Sequence, residues 1–165
     1  MNIQDVFITR RGGGYRLEYS EIYATGIDDL WSAVTQPERL RRWMAEYVGE
    51  FGLGGEWKAL AASGEVWCFG TVTECDPPHR FVTTWTHHGE PETVVEVALE
   101  SVDGGTLLRL SHGDVSTTDY GPGWHTYLLA LADSLVDPAA DRDDEKWKSR
   151  YIEFEPAYRQ RFAEL

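Results

Sequence analysis

The feature that most constrains this chain is a change of hydrophobic period. Between Tyr15 and His112 apolar side chains recur at every second residue, and from Trp124 to Leu135 they recur at every third or fourth. The first period belongs to strands with one buried face, the second to a helix with one buried stripe. A run of strands with one polar face needs cover on its other face. The segment Gly123 to Val136 is the one long enough to supply it. This order is that of an α+β domain: a meander of strands, then a long helix across it.

The local signals agree with that order. Tyr15, Leu17 and Tyr19 share one face of a strand over residues 15–24. Asp28 caps a short helix through Leu30, Trp31 and Val34, and Pro37 opens a second over Glu38–Met44. Strands are expected over Glu56–Ala61, Glu65–Cys75, Arg80–His87, Glu92–Ser101 and Thr106–His112. Ser63-Gly64 and Asp103-Gly104-Gly105 read as hairpin turns. Residues 1–14 read as a loose N-terminal segment ending in three glycines, residues 15–137 as the domain, and residues 138–165 as a helical extension. In that extension Trp147, Tyr151, Phe154, Tyr158 and Phe162 form a stripe, and Pro156 predicts two short helices or one kinked helix.

Charge narrows the classes of function. With 15 basic and 28 acidic residues the net charge is −13. Such a chain offers no basic face for a phosphate backbone, so no nucleic-acid partner is expected. An anionic membrane surface repels it, and no apolar run approaches the ~20 residues that span a bilayer. Residues 1–14 lack the apolar stretch of a signal peptide. Cys68 and Cys75 have no neighbour at metal or disulfide spacing. The expectation is a cytoplasmic protein with no metal and no cofactor.

Several motifs then occur in a fixed order: Pro37-Glu38-Arg39-Leu40 with Trp43; Gly54-Gly55-Glu56-Trp57; Gly70, then Glu74 to Pro78, then Phe81-Val82 and Trp85; Gly105-Thr106 with Leu108 and Leu110; Gly123-Trp124 with Leu128 and Leu131. The series resembles the SRPBCC superfamily of START and polyketide-cyclase-like proteins. Within it the likeness is to the branch named for the activator of heat shock protein 90 ATPase. The resemblance covers residues 15–136. It implies a helix-grip fold, a curved antiparallel sheet wrapped on the C-terminal helix, with a ligand cavity between them. It also implies that Trp43 and Trp124 lie near that cavity.

The candidate ligand-binding residues are Trp43, Trp57, Trp85, His112, Tyr120, Trp124, Tyr127 and Leu128. An ordinary core position is the alternative for each tryptophan, because residue type does not separate the two uses. His112 and His87 each end an alternating apolar series, so each is aimed inward and can serve as acid or base, as can Tyr127. The bland alternative for both histidines is a hydrogen-bonded strand end. His125 lies one position off the helix's apolar face and is expected at the surface. Glu65 and Asp133 read as isolated acids, and no nucleophilic triad is visible.

Three functions are open on this reading. The first is a binding module for a hydrophobic or aromatic small molecule such as a lipid, polyketide or other metabolite. The second is a cyclase, dehydratase or hydrolase using a cavity His or Tyr. The third, resting on the family's name, is a protein-interaction module that stimulates a chaperone ATPase. The tail stripe is expected to pack on its own domain, with homodimerisation as the alternative.

Overall fold

In the computed structural model, which describes Asn2 and residues 5–165, the sheet comes first and is then covered. The elements are β1 (Phe7–Arg11), β2 (Gly14–Tyr23), α1 (Ile27–Thr35), α2 (Pro37–Leu40), β3 (Glu46–Gly49), β4 (Glu56–Leu60), β5 (Val66–Asp76), β6 (Arg80–His87), β7 (Thr93–Val102), β8 (Gly105–Val115), α3 (Tyr120–Val136) and α4 (Asp144–Ala163). All strand pairs are antiparallel, in the order β1-β2-β8-β7-β6-β5-β4-β3. Register shifts interrupt the β2–β8, β4–β5 and β5–β6 pairs. Such bulges bend strands and increase twist, which curves the sheet around α3. This is the α+β helix-grip arrangement expected.

Alternation decides the buried face. In β7, Thr93, Val95, Val97 and Leu99 are buried, while Val94 and Glu100 are exposed. Two tyrosines of β2 fasten the helix to this face. Tyr19 donates to the Gly121 carbonyl at 2.8 Å and Tyr23 to the Leu128 carbonyl at 3.0 Å. Burial raises both hydroxyl pKa values, so both remain donors.

Trp43 has a comparable structural task. Pro37 stands four residues after Ala33 and has no N–H for its carbonyl. The Trp43 indole N–H takes that acceptor at 3.0 Å, so the indole closes the end of α1.

Several elements differ from the sequence reading. Residues 7–11, placed in a loose segment, form the edge strand β1. β3 was not anticipated. The second short helix ends at Leu40, and residues 41–44 continue as turns. α3 begins at Tyr120, with Pro122 in its first turn, where a missing N–H costs no helical bond. α4 is one helix that contains Pro156.

α4 lies along α3 and accounts for the tail stripe. Tyr158 and Phe162 are buried, and Phe162 meets the Tyr15 ring edge-on at 4.8 Å. His125, expected at the surface, is 1% exposed, because α4 covers that side of α3. Its ring stacks on Phe154 at 4.1 Å, and its Nδ1 lies 2.8 Å from the Tyr158 hydroxyl. Asp133 is not isolated either: it binds Lys146 and Arg150, each at 2.9 Å. No helix among the described residues is long and apolar enough to cross a membrane.

Gly121 is where the two helices touch most closely. A Cβ there would stand 2.8 Å from Tyr158 Cδ1 and 3.0 Å from Phe162 Cε2. Gly121→Ala is therefore expected to cost about 1–3 kcal/mol and to loosen α4. Limited proteolysis should release the tail faster than in the parent protein. An unchanged cleavage rate would show that α4 docks by other contacts.

Candidate functional site

The space between sheet and α3, where the resemblance places a cavity, is nearly closed. Phe81, Val95, Val97, Leu108, Leu110, Trp124 and Leu128 close on a void of about 40 Å³. That is room for a water molecule and not for an organic ligand. A larger cleft of about 290 Å³ lies beside it, at the lower end of the range for small-molecule sites. Met44, Trp85 and Trp124 border both spaces and separate them.

The cleft is built by four parts of the chain. β5 and β6 supply Trp67, Trp85 and His87, and the β6–β7 turn supplies Glu90. The start of α3 contributes Tyr120, Trp124 and Tyr127. The first half of α4 contributes Trp147 and Tyr151. Their rings form one continuous wall. Trp85 meets Trp67 at 6.4 Å and Trp124 at 5.3 Å, and Trp124 meets Tyr127 at 6.4 Å. Tyr127 then meets Trp147 at 5.0 Å, which stacks on Tyr151 at 5.2 Å.

Trp67 reaches this wall through a bulge. Ala59 pairs with Cys68 and Leu60 with Val66, so Trp67 is the extra residue in β5. Strict alternation would turn it away from buried Cys68. The bulge re-aims it, and its ring lies 5.7 Å from that of His87.

The polar groups of the cleft divide into satisfied and unsatisfied ones. The Tyr120 hydroxyl donates to Glu90 Oε2 at 3.0 Å. Burial and then the Glu90 charge raise its pKa. Burial pushes the Tyr127 hydroxyl up to about 12. The indole N–H groups of Trp85 and Trp147 are buried and reach no acceptor. A hydrogen-bond-like approach of the Trp85 indole to the Tyr120 hydroxyl lowers that pKa, although the pair falls outside hydrogen-bond geometry.

His112 stands behind this wall, at 0% exposure. Trp124 Nε1 donates to its Nδ1 at 3.0 Å. An indole nitrogen only donates, so Nδ1 carries no proton and the neutral ring holds its proton on Nε2. That N–H donates to Thr93 Oγ1 at 2.7 Å, and the Thr93 hydroxyl donates to the Trp85 carbonyl at 2.8 Å. Burial pulls the His112 pKa down from 6.5 to about 3. The ring is neutral at physiological pH and both nitrogens are occupied. Its contacts orient Trp124 and the Trp85 backbone.

Of the eight residues singled out in the sequence, Trp85, Tyr120, Trp124 and Tyr127 line the cleft, joined by His87. Trp43 and Leu128 border the small void between sheet and α3 instead, and Trp57 and His112 line neither space. Trp57 is 1% exposed and donates to Thr83 Oγ1 at 2.7 Å within the core. Sequence reasoning missed Met44, Trp67, Glu90, Trp147 and Tyr151 as cleft residues. The tail stripe was visible, but its use as a wall was not. Among the described residues, no group of three or more His, Cys, Asp or Glu is placed to hold a metal ion.

Comparison with known proteins gives one family and several solved structures of similar fold. The family model described as Activator of Hsp90 ATPase homolog 1-like protein matches residues 24–135. CalU16 from Micromonospora echinospora is 26% identical with a TM-score of 0.71, over 93% of this chain and 96% of that one. DynU16, from the dynemicin biosynthetic locus, is 21% identical with a TM-score of 0.70, over 78% of this chain and 50% of that one. The Aha1 dimer from Colwellia psychrerythraea is 20% identical with a TM-score of 0.63, over 73% of this chain and 95% of that one. No curated protein matches the chain.

Proposed function

The chain belongs to the family of Activator of Hsp90 ATPase homolog 1-like proteins, and from that premise we propose that it binds a small, flat, largely apolar molecule in the aromatic cleft. The observation that carries this reading is the wall itself. It is a continuous run of rings around about 290 Å³, with two buried indole N–H groups that lack acceptors. A buried donor without a partner costs about 1–3 kcal/mol. A ligand carbonyl or ether oxygen recovers that cost, so the ligand is an apolar body bearing at least one acceptor atom.

Binding is better supported than turnover. Both nitrogens of His112 are engaged behind the wall, and Tyr127, near pKa 12, keeps its proton at neutral pH. Neither is poised to move a proton. Beyond the family's name, the one observation that favours a protein partner is that the similar Aha1 from Colwellia psychrerythraea is a dimer. Of the tail stripe, Tyr158 and Phe162 are buried within the chain, so a second copy would have only the partly open Trp147, Tyr151 and Phe154 to use. Two unbonded cysteines, Cys68 and Cys75, suit a reducing cytoplasm.

Titration of tryptophan fluorescence against a panel of fused-ring carbonyl compounds tests the reading. Trp147→Ala is expected to weaken the best ligand about tenfold, and Trp147→Phe, which keeps a ring but loses the donor, several-fold. A panel in which nothing quenches or shifts the emission would remove the proposal.

A further inference from the structure

We infer that the cleft is built for an organic cation: a protonated amine or quaternary ammonium carried on an aromatic body. This rests on the reading of the cleft as a ligand site and adds the sign of the ligand's charge. Glu90 and Asp119 line the cleft, and no lysine or arginine does. Glu90 spends one carboxylate oxygen on Tyr120; among the described residues its Oε1 accepts no hydrogen bond. The nearest basic atom, His87 Nδ1, lies 4.0 Å from Glu90 Oε2 and only 3.3 Å from the His88 carbonyl, to which it donates. No lysine or arginine pairs with this carboxylate, and His87, at 4.0 Å, is its one ion-pair partner among the described residues.

The rings point the same way. The faces of tryptophan and tyrosine are electron-rich and attract cations, most strongly where water is excluded. Trp67, Trp124, Tyr127 and Trp147 surround a space with two carboxylates at its rim. A second observation is independent of the acids. Trp85 is 5% exposed, lines the cleft, and holds an N–H without an acceptor. That N–H asks for an oxygen on the ligand's body, which a cationic head alone would not supply. The chain's net charge of −13 attracts cations at long range and repels anions.

Three soluble probes of one shape separate the possibilities: (meta-hydroxyphenyl)trimethylammonium, its neutral isostere meta-tert-butylphenol, and meta-hydroxybenzenesulfonate. Their affinities are read by calorimetry and tryptophan fluorescence. The cation is expected to bind about tenfold tighter than the neutral isostere, and the anion weakest. Glu90→Gln should cut cation affinity about fivefold and the neutral probe's affinity by clearly less, with Asp119→Asn as a second, surface-exposed variant acting the same way. Added salt should weaken only the cation. Equal affinity for cation and isostere, or a cation indifferent to both variants, overturns the cation assignment and leaves the cleft as a ligand site. Failure of all three probes to bind overturns both.

Discussion

Replacing His112 with phenylalanine is expected to destabilise the fold by about 2–4 kcal/mol at pH 7, and that deficit should vanish near pH 4. The neutral-pH loss follows from the relay behind the wall. Without the ring nitrogens, the Trp124 N–H is a buried donor with no acceptor, and Thr93 loses the donor on its oxygen. At about 2–4 °C per kcal/mol for a chain of this size, the melting temperature should fall by roughly 5–15 °C.

The pH dependence follows from the depressed pKa. In the unfolded chain His112 takes up a proton below pH 6.5; in the folded chain it does so only near pH 3. Between those values the unfolded state binds more protons, so acidification favours unfolding. The stabilisation is fully present above pH 6.5 and is lost as pH falls toward 3. The slope is about 1.4 kcal/mol per pH unit, so by pH 4 the parent protein has lost about 3 kcal/mol that the phenylalanine variant never had. Carboxylates titrate alike in both proteins and cancel in the difference. Denaturant midpoints measured from pH 7 to pH 4 should therefore converge. Parallel curves would mean that His112 is not held neutral by burial.

What could be read in the sequence depended on how local its cause was. β7 was legible because one sheet face is buried and the other wet, so its alternation is a property of the strand alone. β3 was not, because of its four residues only Tyr47 is buried. Four residues are too few for a period to show. Trp67 was missed because its direction is set by a bulge against β4, which depends on the partner strand's register. His125 sits one place off the α3 stripe and was assigned to water; a second helix, whose docking no pattern reveals, covers it. The four tryptophans first weighed were divided by their partners. Trp43 answers a carbonyl orphaned by Pro37, and Trp57 answers Thr83, while Trp85 and Trp124 border the cleft. The cleft's outer wall needs α4 in place, so it could not be placed from residue type alone.

Trp57 also sets the expectation for a damaging single methyl group. Gly70 faces inward on β5 between Cys68 and Val72, and Trp57 lies across it. A Cβ at Gly70 would stand 2.0 Å from the Thr84 carbonyl oxygen and 2.7 Å from Trp57 Cζ2. The first contact is with backbone, so no rotamer change relieves it. Relief requires β5 to draw away from β6, which strains the bond from Thr71 N to Thr84 Oγ1 at 2.9 Å and that from Trp57 Nε1 to Thr83 Oγ1 at 2.7 Å. Gly70→Ala is accordingly expected to cost about 3–5 kcal/mol, lowering the melting temperature by roughly 10 °C or more. The damage should reach the cleft as well, since the Trp57 ring packs 5.2 Å from that of Trp85. Gly123→Ala is the contrast: a Cβ there meets nothing within 4 Å, inside a helix that alanine favours. It should gain about 0.5–1 kcal/mol. If Gly70→Ala melted within about 2 °C of the parent, less than 1 kcal/mol would separate them. The close approach of Trp57 to β5 would then not be what holds this side of the cleft.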